Sequence, residues 1–315
     1  MTASDSFRLV QISDVHLSRR RPFFHHNWEL LVDLLSREPC DLILCTGDMT
    51  IDGADFENEL GFAAEQFRRI GQEIVFLPGN HDIGNSLPDV RGGETVITAE
   101  RRDAFLRHFG ADFWCREIGP HWRLLALNSM LFGSGLAAEA EQAELIRSVA
   151  ALRDGRRLLV AQHKPLYMAD AGETKPTQGT LYPEHRARLR DLLAPAGPVT
   201  LLSGHIHDYK TATWGDLAQI WAPSTAFVID SDGVLYPRYG IRRVGYLRHE
   251  LGREALSHEF VEPDSFLNID VGNWMRAPAG FHARYATEPL RGLALTSSLV
   301  PAAPVLPESA STSVA

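Results

Sequence analysis

Two apolar runs of this chain end in pairs of polar side chains that stand two positions apart. Asp14 and His16 follow the first run, and His205 and His207 follow the last clearly apolar one. In extended backbone, residues two apart point to the same side. Polar groups at a buried strand end are costly unless something partners them. Asp14 and His16 could therefore bind one metal ion together, and the two histidines repeat their spacing.

Three further apolar runs end in side chains of the same kind. They deliver Asp48, the tetrapeptide Gly79-Asn80-His81-Asp82 and His163. The glycine before Asp48 lets the backbone turn sharply, so the carboxylate projects from the strand end. In α/β sheets the ligand site lies at the carboxyl ends of the strands. We therefore expect these side chains to converge, although nearly 200 positions separate the first from the last.

The converging side chains have the composition of a metal site. The candidate ligands are Asp14, His16, Asp48, Asn80, His163, His205 and His207, with His81 and Asp82 beside them. Mixed carboxylate, imidazole and amide ligands suit divalent Mn, Fe, Zn or Co better than Ca or Mg, which prefer oxygen ligands. Seven donors are too many for one tetrahedral ion, but they suffice for two ions that share a bridging carboxylate.

The elements that must position these residues repeat one order, in which a strand is followed by a polar tip and a helix. This order predicts an α/β sandwich. Apolar runs predict strands at residues 7–12, 41–46, 74–77, 122–127, 157–162, 199–203, 218–221, 226–229 and 244–249. Helical spacing predicts helices at residues 28–36, 56–70, 100–109, 137–152 and 186–193.

Length and composition favour one large domain. The chain has 315 residues, 44% of them hydrophobic, and a formal charge of −9, which argues against a dedicated nucleic-acid surface. We expect a catalytic domain at residues 1–262, a C-terminal extension at 263–296 and a disordered tail at 297–315, where Ser, Ala, Pro, Val and Thr predominate. A homo-oligomer is left open.

The cysteines and the N-terminus bear on the compartment. Cys40, Cys45 and Cys115 form no CxxC pair and are expected to be reduced thiols. The N-terminus is polar, and no run reaches the roughly 18 apolar residues of a membrane span. We therefore expect a cytoplasmic protein without a membrane partner.

The ordered blocks DVH, GD, GNHD, H and GHIH between Asp14 and His207 resemble those of the calcineurin-like metallophosphoesterase superfamily. The resemblance implies a four-layer α/β/β/α sandwich. It also implies roles for the nine residues: Asp14, His16 and His207 on one metal, Asn80, His163 and His205 on the second, Asp48 as the bridge, His81 as an outer-sphere acid and Asp82 as the group that orients His81.

Within the superfamily, the short spacing from GD to GNHD looks most like bacterial class III cyclic nucleotide phosphodiesterases and related small-diester phosphodiesterases. This implies hydrolysis of a small phosphodiester. The alternatives are a phosphomonoesterase or protein-phosphatase-like enzyme, a nuclease, which the acidic balance disfavours, and a non-enzymatic scaffold, which the full set of ligands disfavours. Purple acid phosphatases carry Tyr where Ile51 stands. The absence of this tyrosine favours two Mn or ferrous ions, with Zn or Co as alternatives.

The chemistry expected of such a centre is phosphate-ester hydrolysis. Two ions roughly 3.5 to 4 Å apart would hold a hydroxide between them, lower its pKa and clamp the phosphoryl oxygens. His81 would then protonate the leaving oxygen, with Asp82 fixing its tautomer. Two loops border this region: residues 167–183 are a candidate lid, and the basic stretch Arg19-Arg20-Arg21 is either a phosphate-facing rim or a solvated loop.

Overall fold

The computed structural model describes residues 6–86 and 95–276. The helices in these ranges are α1 (His25–Leu35), α2 (Glu57–Arg68), α3 (Asn80–Ile83), α4 (Ala99–Phe109), α5 (Ala137–Ala150), α6 (Pro183–Leu193) and α7 (Val271–Arg276). The strands are β1 (Phe7–Ile12), β2 (Leu42–Cys45), β3 (Ile74–Phe76), β4 (Trp114–Ile118), β5 (Trp122–Ala126), β6 (Arg157–Ala161), β7 (Val199–Ser203), β8 (Lys210–Trp214), β9 (Leu217–Trp221), β10 (Tyr246–Leu251) and β11 (Leu256–Val261).

The strands form two mixed sheets that pack face to face between helices. One sheet has the order β11-β10-β1-β2-β3, and the other has the order β4-β5-β6-β7-β9-β8. Strands β1 to β3 are parallel, as are β5, β6, β7 and β9, while the antiparallel pairs lie toward the edges. Helices α1, α2 and α4 cover the first sheet, and α5 and α6 cover the second. The predicted four-layer α/β/β/α sandwich is confirmed.

The two-residue period of the central strands produces these layers. In β2, Leu44 faces the other sheet and Ile43 faces the helices. In β6, Leu159 faces the other sheet and Val160 faces the helices. Successive side chains of a strand point to opposite faces, and both faces of these strands are covered. Central strands therefore read as continuous apolar runs in the sequence.

Most predicted elements are present within a few residues of their expected ends, but one predicted strand is wrong. Residues 226–229 form no strand and make one isolated bridge, between Val228 and Asp270. The backbone groups here are held by side chains: the hydroxyl of Ser224 accepts from the N–H groups of residues 226 and 227, and Asn27 donates to the carbonyls of Thr225 and Ala226. No ladder is needed where side chains satisfy the backbone.

Three strands, β4, β8 and β11, were not predicted. Each pairs in antiparallel fashion at or near a sheet edge, with side chains that are mostly exposed or half-buried. Their sequences therefore lack the continuous apolar run by which the central strands were identified.

The start of the predicted C-terminal extension, residues 263–276, lies against the domain. Asn27 accepts from the N–H of Leu267 and donates to its carbonyl, and the carboxylate of Asp270 accepts from the N–H groups of Asp230 and Ser231. The rest of that extension and the predicted tail at 297–315 lie outside the described residues, as do residues 87–94 of the loop after Asp82. The boundary after residue 262 stays a prediction.

Two expectations from composition concern the cysteines and membranes. Cys40, Cys45 and Cys115 are all free, as predicted. Of the helices in residues 6–86 and 95–276, none combines the length and apolar character needed to cross a membrane.

A buried ion pair supports the loop that follows His207. The carboxylate of Asp208 accepts from Nε and Nη2 of Arg242 at 2.7 and 3.2 Å, and both residues are buried. We expect Arg242→Met to lower the free energy of unfolding of the metal-free protein by about 3–5 kcal/mol, because it leaves a buried carboxylate unpaired. Urea denaturation would measure the loss.

The neighbouring residue provides the matched control. Arg243 pairs with Glu262 at the surface, with 55% of its side chain exposed. Arg243→Met should change the free energy of unfolding by about 1 kcal/mol or less. Equal losses in the two variants would contradict the importance given to the buried pair.

Candidate metal centre

All seven predicted ligands meet at one edge of the two sheets, just beyond the carboxyl ends of strands β1, β2, β3, β6 and β7. Each sits in the loop or turn that directly follows its strand. Asn80 differs in local structure, because it begins the short helix α3 after Gly79. The two sheets therefore bring together residues from five separate stretches of sequence, as the strand-end argument predicted.

The backbone at this edge is strained in a systematic way. The non-glycine residues in left-handed conformation here are Asp14, His16, Asp48, His205 and His207, with φ of 53°, 49°, 53°, 72° and 59°. A non-glycine residue in this region costs roughly 1 to 3 kcal/mol. Among the described residues, only one other non-glycine, Asp230, has a positive φ. Concentration of such strain on five candidate ligands is typical of a functional site.

Glycines allow the chain segments to approach one another here. A Cβ on Gly79 would lie 2.0 Å from Oδ1 of Asp48, and one on Gly204 would lie 2.5 Å from Oδ2 of Asp14. Gly47 has φ +105°, and its Cβ would lie 2.5 Å from Nδ1 of His163. The glycines before these ligands are therefore required by space as well as by backbone conformation.

One group of ligand atoms consists of Asp14, His16 and His207. Oδ1 of Asp14 lies 3.2 Å from Nε2 of His207, which in turn lies 3.2 Å from Nε2 of His16. All three ligand atoms lie within 4.8 Å of one another. Within the described residues, Asp14 Oδ1 has no donor in hydrogen-bonding geometry. A buried carboxylate oxygen left this way is suited to a cation.

The second group consists of Asp48, His163 and His205, joined by Asn80. Nε2 of His163 lies 3.3 Å from Oδ2 of Asp48, 3.1 Å from Nδ1 of His205 and 3.3 Å from Oδ1 of Asn80. Oδ2 of Asp48 also lies 3.9 Å from Nε2 of His16. Asp48 thus lies between the two groups, where a bridging carboxylate is needed.

Backbone carbonyls fix the tautomers of three of the histidines. The ring nitrogens that face away from the cluster contact the carbonyls of Thr46 (from His163, 2.8 Å), Phe227 (from His207, 3.1 Å) and Gln178 (from His205, 2.9 Å). A carbonyl only accepts, so these nitrogens carry the hydrogens. The inward nitrogens of the neutral rings then present lone pairs to one another and to carboxylates. This is the arrangement that metal-ligating histidines adopt, and the donors fit two cations.

In the metal-free protein, a proton on His163 supplies part of the positive charge that bound cations would supply. Burial lowers the pKa of His163, but its attraction to Asp48 outweighs this and raises the pKa to about 9. Burial and the charge of His163 hold the pKa of His205 well below its usual range. Burial and His81 lower the pKa of His16 to about 3. At pH 7.5 His163 is therefore protonated, whereas His16 and His205 are neutral.

This charge state predicts that metal binding releases a proton. His163 must lose its proton to become a ligand, so apparent affinity should rise by about tenfold per pH unit below pH 9 if one proton is released. Calorimetric titration of the metal-free protein with MnCl₂ in two buffers of different ionisation enthalpy would count the protons. Binding at pH 7.5 with no proton released would contradict this charge assignment.

His81 and Asp82 lie beside the ligands, but their contacts differ from the prediction. Nδ1 of His81 lies 2.9 Å from the carbonyl of Ile51. The carboxylate of Asp82 accepts from the hydroxyl and N–H of Thr50 and from the N–H groups of Met49 and Gly79. The predicted contact between Asp82 and the His81 ring is therefore wrong, because the ring nitrogen contacts the carbonyl of Ile51. Adjacent side chains on a helical turn diverge by about 100°, and Ile51 holds the imidazole instead.

A cavity of about 330 Å³ opens beside His81, and we call it the His81 cavity. The residues that line it are Arg21, Ile51, Asp52, Ala54, Asp55, Asn80, His81 and Thr95. Of the predicted basic rim, only Arg21 reaches it. Arg19 pairs with Glu59 at 3.4 Å, and the guanidinium of Arg20 lies 3.8 Å from the ring centre of Phe56. Arg19 and Arg20 are therefore held by neighbouring side chains, and the expected phosphate-facing rim is left to Arg21.

The carbonyl partners at the site could not be identified from residue types. Ile51, Thr46, Phe227 and Gln178 all act through main-chain oxygens, which every residue type has. Gln178 lies in the predicted lid, residues 167–183, and this places part of that segment at the site. Phe227 also packs its ring against His16 and His207, at 4.8 and 4.5 Å between ring centres.

Comparison with known proteins identifies relatives of this architecture. A family model described as calcineurin-like phosphoesterase matches residues 7–209. The serine/threonine-protein phosphatase CPPED1 of Pongo abelii is 26% identical over 203 residues, which cover 60% of this chain. The match also spans 60% of that relative's length.

Solved structures share the fold at low sequence identity. A dimetal phosphatase from Danio rerio has a TM-score of 0.56 and 14% identity, with 81% of this chain and 95% of that chain covered. The purple acid phosphatase PPD1 from yellow lupin has a TM-score of 0.58 and 14% identity, with coverage of 82% and 51%. At these identities the likeness establishes the fold.

Proposed function

The chain belongs to the calcineurin-like phosphoesterase family, and from this membership we propose that it hydrolyses small phosphodiesters at a dinuclear metal centre. The observation that carries the proposal is the placement of Asp48 between two groups of converging ligand atoms. The carbonyl-fixed histidine tautomers support it. A site of this composition has no evident structural use, because the proton on His163 offsets only part of the repulsion among its lone pairs and carboxylates.

We assign the ligands as the strand-end pattern implies. Asp14, His16 and His207 would hold one ion, Asn80, His163 and His205 would hold the other, and Asp48 would serve both. Bound divalent ions of this kind activate a water molecule and neutralise phosphoryl oxygens. Two divalent cations and two carboxylates, Asp14 and Asp48, leave a local charge of +2, which attracts a phosphate ester despite the net charge of −9. We propose Mn or Fe as the metals, with Zn or Co as alternatives.

His81 is the proposed proton donor to the leaving oxygen. Its Nδ1 is engaged with the carbonyl of Ile51 at 2.9 Å, so Nε2 carries the mobile proton. Burial lowers the pKa of His81, but the charge of Asp48 and the contact with Ile51 outweigh it, so that its pKa is raised. A raised pKa favours the protonated ring that a general acid requires. Asp82 stabilises the turn that carries His81.

A diester is favoured over a monoester by the surroundings of His81. The His81 cavity leaves room for an alcohol arm next to the proton donor. Arg21, the basic residue that lines this cavity, is already 3.3 Å from Asp52. The guanidinium of Arg21 is therefore not free to neutralise the second negative charge of a monoester, and this favours a singly charged diester. We further propose a cytoplasmic enzyme that acts on a free small molecule and does not bind nucleic acid.

A second candidate is phosphomonoesterase or protein phosphatase activity. It is favoured by the sequence match to a relative named as a serine/threonine-protein phosphatase. The nuclease and scaffold alternatives have less support, because the chain is acidic overall and all seven candidate ligands are assembled.

A substrate panel separates the two candidates. The purified chain would be loaded with Mn and offered bis(p-nitrophenyl) phosphate, p-nitrophenyl phosphate, cyclic AMP and a phosphoserine peptide. We expect kcat/KM to be highest for a diester, and chelator treatment to abolish turnover. A wide preference for p-nitrophenyl phosphate or for the peptide would overturn the diester assignment and favour the second candidate.

A further inference from the structure

The His81 cavity contains an acidic group whose hydrogen-bonding capacity is half used. Oδ1 of Asp52 lies 3.3 Å from Nη1 of Arg21. Oδ2 of Asp52 is buried and has no hydrogen-bond partner among the residues that the structure describes. An ionised carboxylate has no donor of its own, so this oxygen must take its hydrogen bond from a water molecule or from a ligand. A buried acceptor left unsatisfied is costly, and a ligand donor would remove that cost.

Apart from His81, the charges around the cavity cancel. Arg21 faces Asp52, and Asp55 is engaged by Nη2 of Arg101 at 3.2 Å and by the hydroxyl of Thr95 at 3.0 Å. Two positive and two negative side chains therefore offset one another beyond the proton donor. The part of the cavity away from His81 offers hydrogen bonds without a charge preference.

We propose that the His81 cavity binds the leaving alcohol of the substrate and selects a neutral alcohol with additional hydroxyl groups, such as a polyol or a small sugar. The inference rests on the proposed function, since it takes His81 as the donor to the leaving oxygen. A hydroxyl both donates and accepts, so it can donate to Oδ2 of Asp52 and accept from Arg21. Ile51 and Ala54 supply apolar contacts for the carbon skeleton.

The volume restricts the alcohol further. About 330 Å³ is at the lower end of the range for ligand pockets, roughly 300–1,000 Å³. It fits one small alcohol better than an extended chain. In the reaction, a water oxygen bonds to phosphorus and the bond from phosphorus to the alcohol oxygen breaks. His81 protonates that oxygen, and the product is the free polyol and a monoester that keeps the second arm.

A diester with two arms of equal length tests this directly. In 2,3-dihydroxypropyl propyl phosphate the arms differ only in their hydroxyl groups. We expect the Mn-loaded enzyme to release glycerol and propyl phosphate, in excess over propanol and glyceryl phosphate by about tenfold or more, because a site that hydrogen-bonds hydroxyls rejects the analogue lacking them. Phosphorus NMR would give the product ratio. Preferential release of propanol, or an even ratio, would overturn the proposal.

Substitutions in the cavity test whether its side chains determine the ratio of glycerol to propanol released. Asp52→Asn keeps the size of the side chain and should bring the product ratio close to one, and Arg21→Gln should lower it as well. The side chain of Asp52 is not part of the local turn, in which its carbonyl accepts from the N–H groups of Asp55 and Phe56. Asp33→Asn, at a side chain that is 65% exposed on α1, is the control with a matched charge change. An unchanged ratio in Asp52→Asn would overturn the proposal.

A binding readout without metals separates this inference from the proposed function. In saturation-transfer NMR with the metal-free protein, glycerol should give a signal that 1-propanol lacks and that Asp52→Asn loses. If bis(p-nitrophenyl) phosphate is hydrolysed but the mixed diester is not, the cavity proposal fails alone. If neither is hydrolysed, the proposed function fails, and the glycerol signal still decides whether the cavity binds hydroxyl groups.

Discussion

Replacement of His81 by alanine is expected to lower kcat toward a dialkyl phosphodiester by about 10²–10⁴-fold, the usual contribution of a general acid. The variant should still bind two metal ions per chain. The imidazole is held by the carbonyl of Ile51 and lines the His81 cavity, while the seven assigned ligands remain in place. Loss of His81 therefore removes the proton donor and spares the metal centre.

The leaving group provides the specific readout for His81. An alkoxide needs a proton as it departs, whereas p-nitrophenolate departs readily without one. The loss in kcat should therefore be much smaller with bis(p-nitrophenyl) phosphate than with the dialkyl ester. His108→Ala, at a partly exposed side chain beside Glu57, serves as the control and should change neither rate. Equal losses with both esters, or loss of both metals, would refute the role.

Replacement of Asp48 by asparagine is expected to lower kcat/KM by about 10³-fold or more, with at most one tightly bound metal ion remaining. Asp48 lies between the two ligand groups, 3.3 Å from His163 and 3.9 Å from His16. An amide cannot bridge two cations as a carboxylate does. Loss of several kcal/mol of charge stabilisation corresponds to about a thousandfold in rate.

Metal analysis and a second variant complete this test. Inductively coupled plasma mass spectrometry of the purified protein would give the number of metal ions per chain. Gly79→Ala leaves Asp48 in the sequence but places a Cβ 2.0 Å from its Oδ1. The losses of bound metal and of turnover in this variant should be of similar size to those in Asp48→Asn. If Asp48→Asn retains two ions and near-normal turnover, the bridging assignment is wrong.

The central strands and the convergence of the candidate ligands could be predicted because their causes are local in sequence. Strands such as β2 and β6 are buried on both faces, so they read as unbroken apolar runs, and each is followed by a candidate ligand where the run ends. The side chains of Asp48 and His163 are chemically distinctive wherever they occur. A common sheet edge then brings them together.

The contacts of His81 and Asp82 could not be predicted for an equally physical reason. The partner of His81 is a main-chain carbonyl, and Ile51 would supply it whatever its side chain. Asp82 follows His81 directly in sequence, yet its carboxylate turns to Thr50 and Gly79, since the helical turn separates the two side chains. Adjacency in sequence gave the wrong partner because the local conformation was not known.

The erroneous strand at residues 226–229 shows a related limit. Its apolar side chains suit a strand, but Ser224 and Asn27 take up the neighbouring backbone groups. The segment instead places Phe227 against two candidate ligand histidines, where its carbonyl holds His207. The apolar pattern indicates burial here. The hydrogen bonds that decide the conformation come partly from Ser224, close in sequence, and partly from Asn27, about 200 positions away.

A metal titration tests the central claim most directly. Metal-free protein would be titrated with MnCl₂ by calorimetry, while turnover of bis(p-nitrophenyl) phosphate is measured at each ratio of metal to protein. We predict two ions bound per chain, with turnover absent in the metal-free protein and complete only when both ions are bound. Full turnover in the presence of chelator, or saturation of turnover and binding at one ion per chain, would contradict a dinuclear centre built around Asp48.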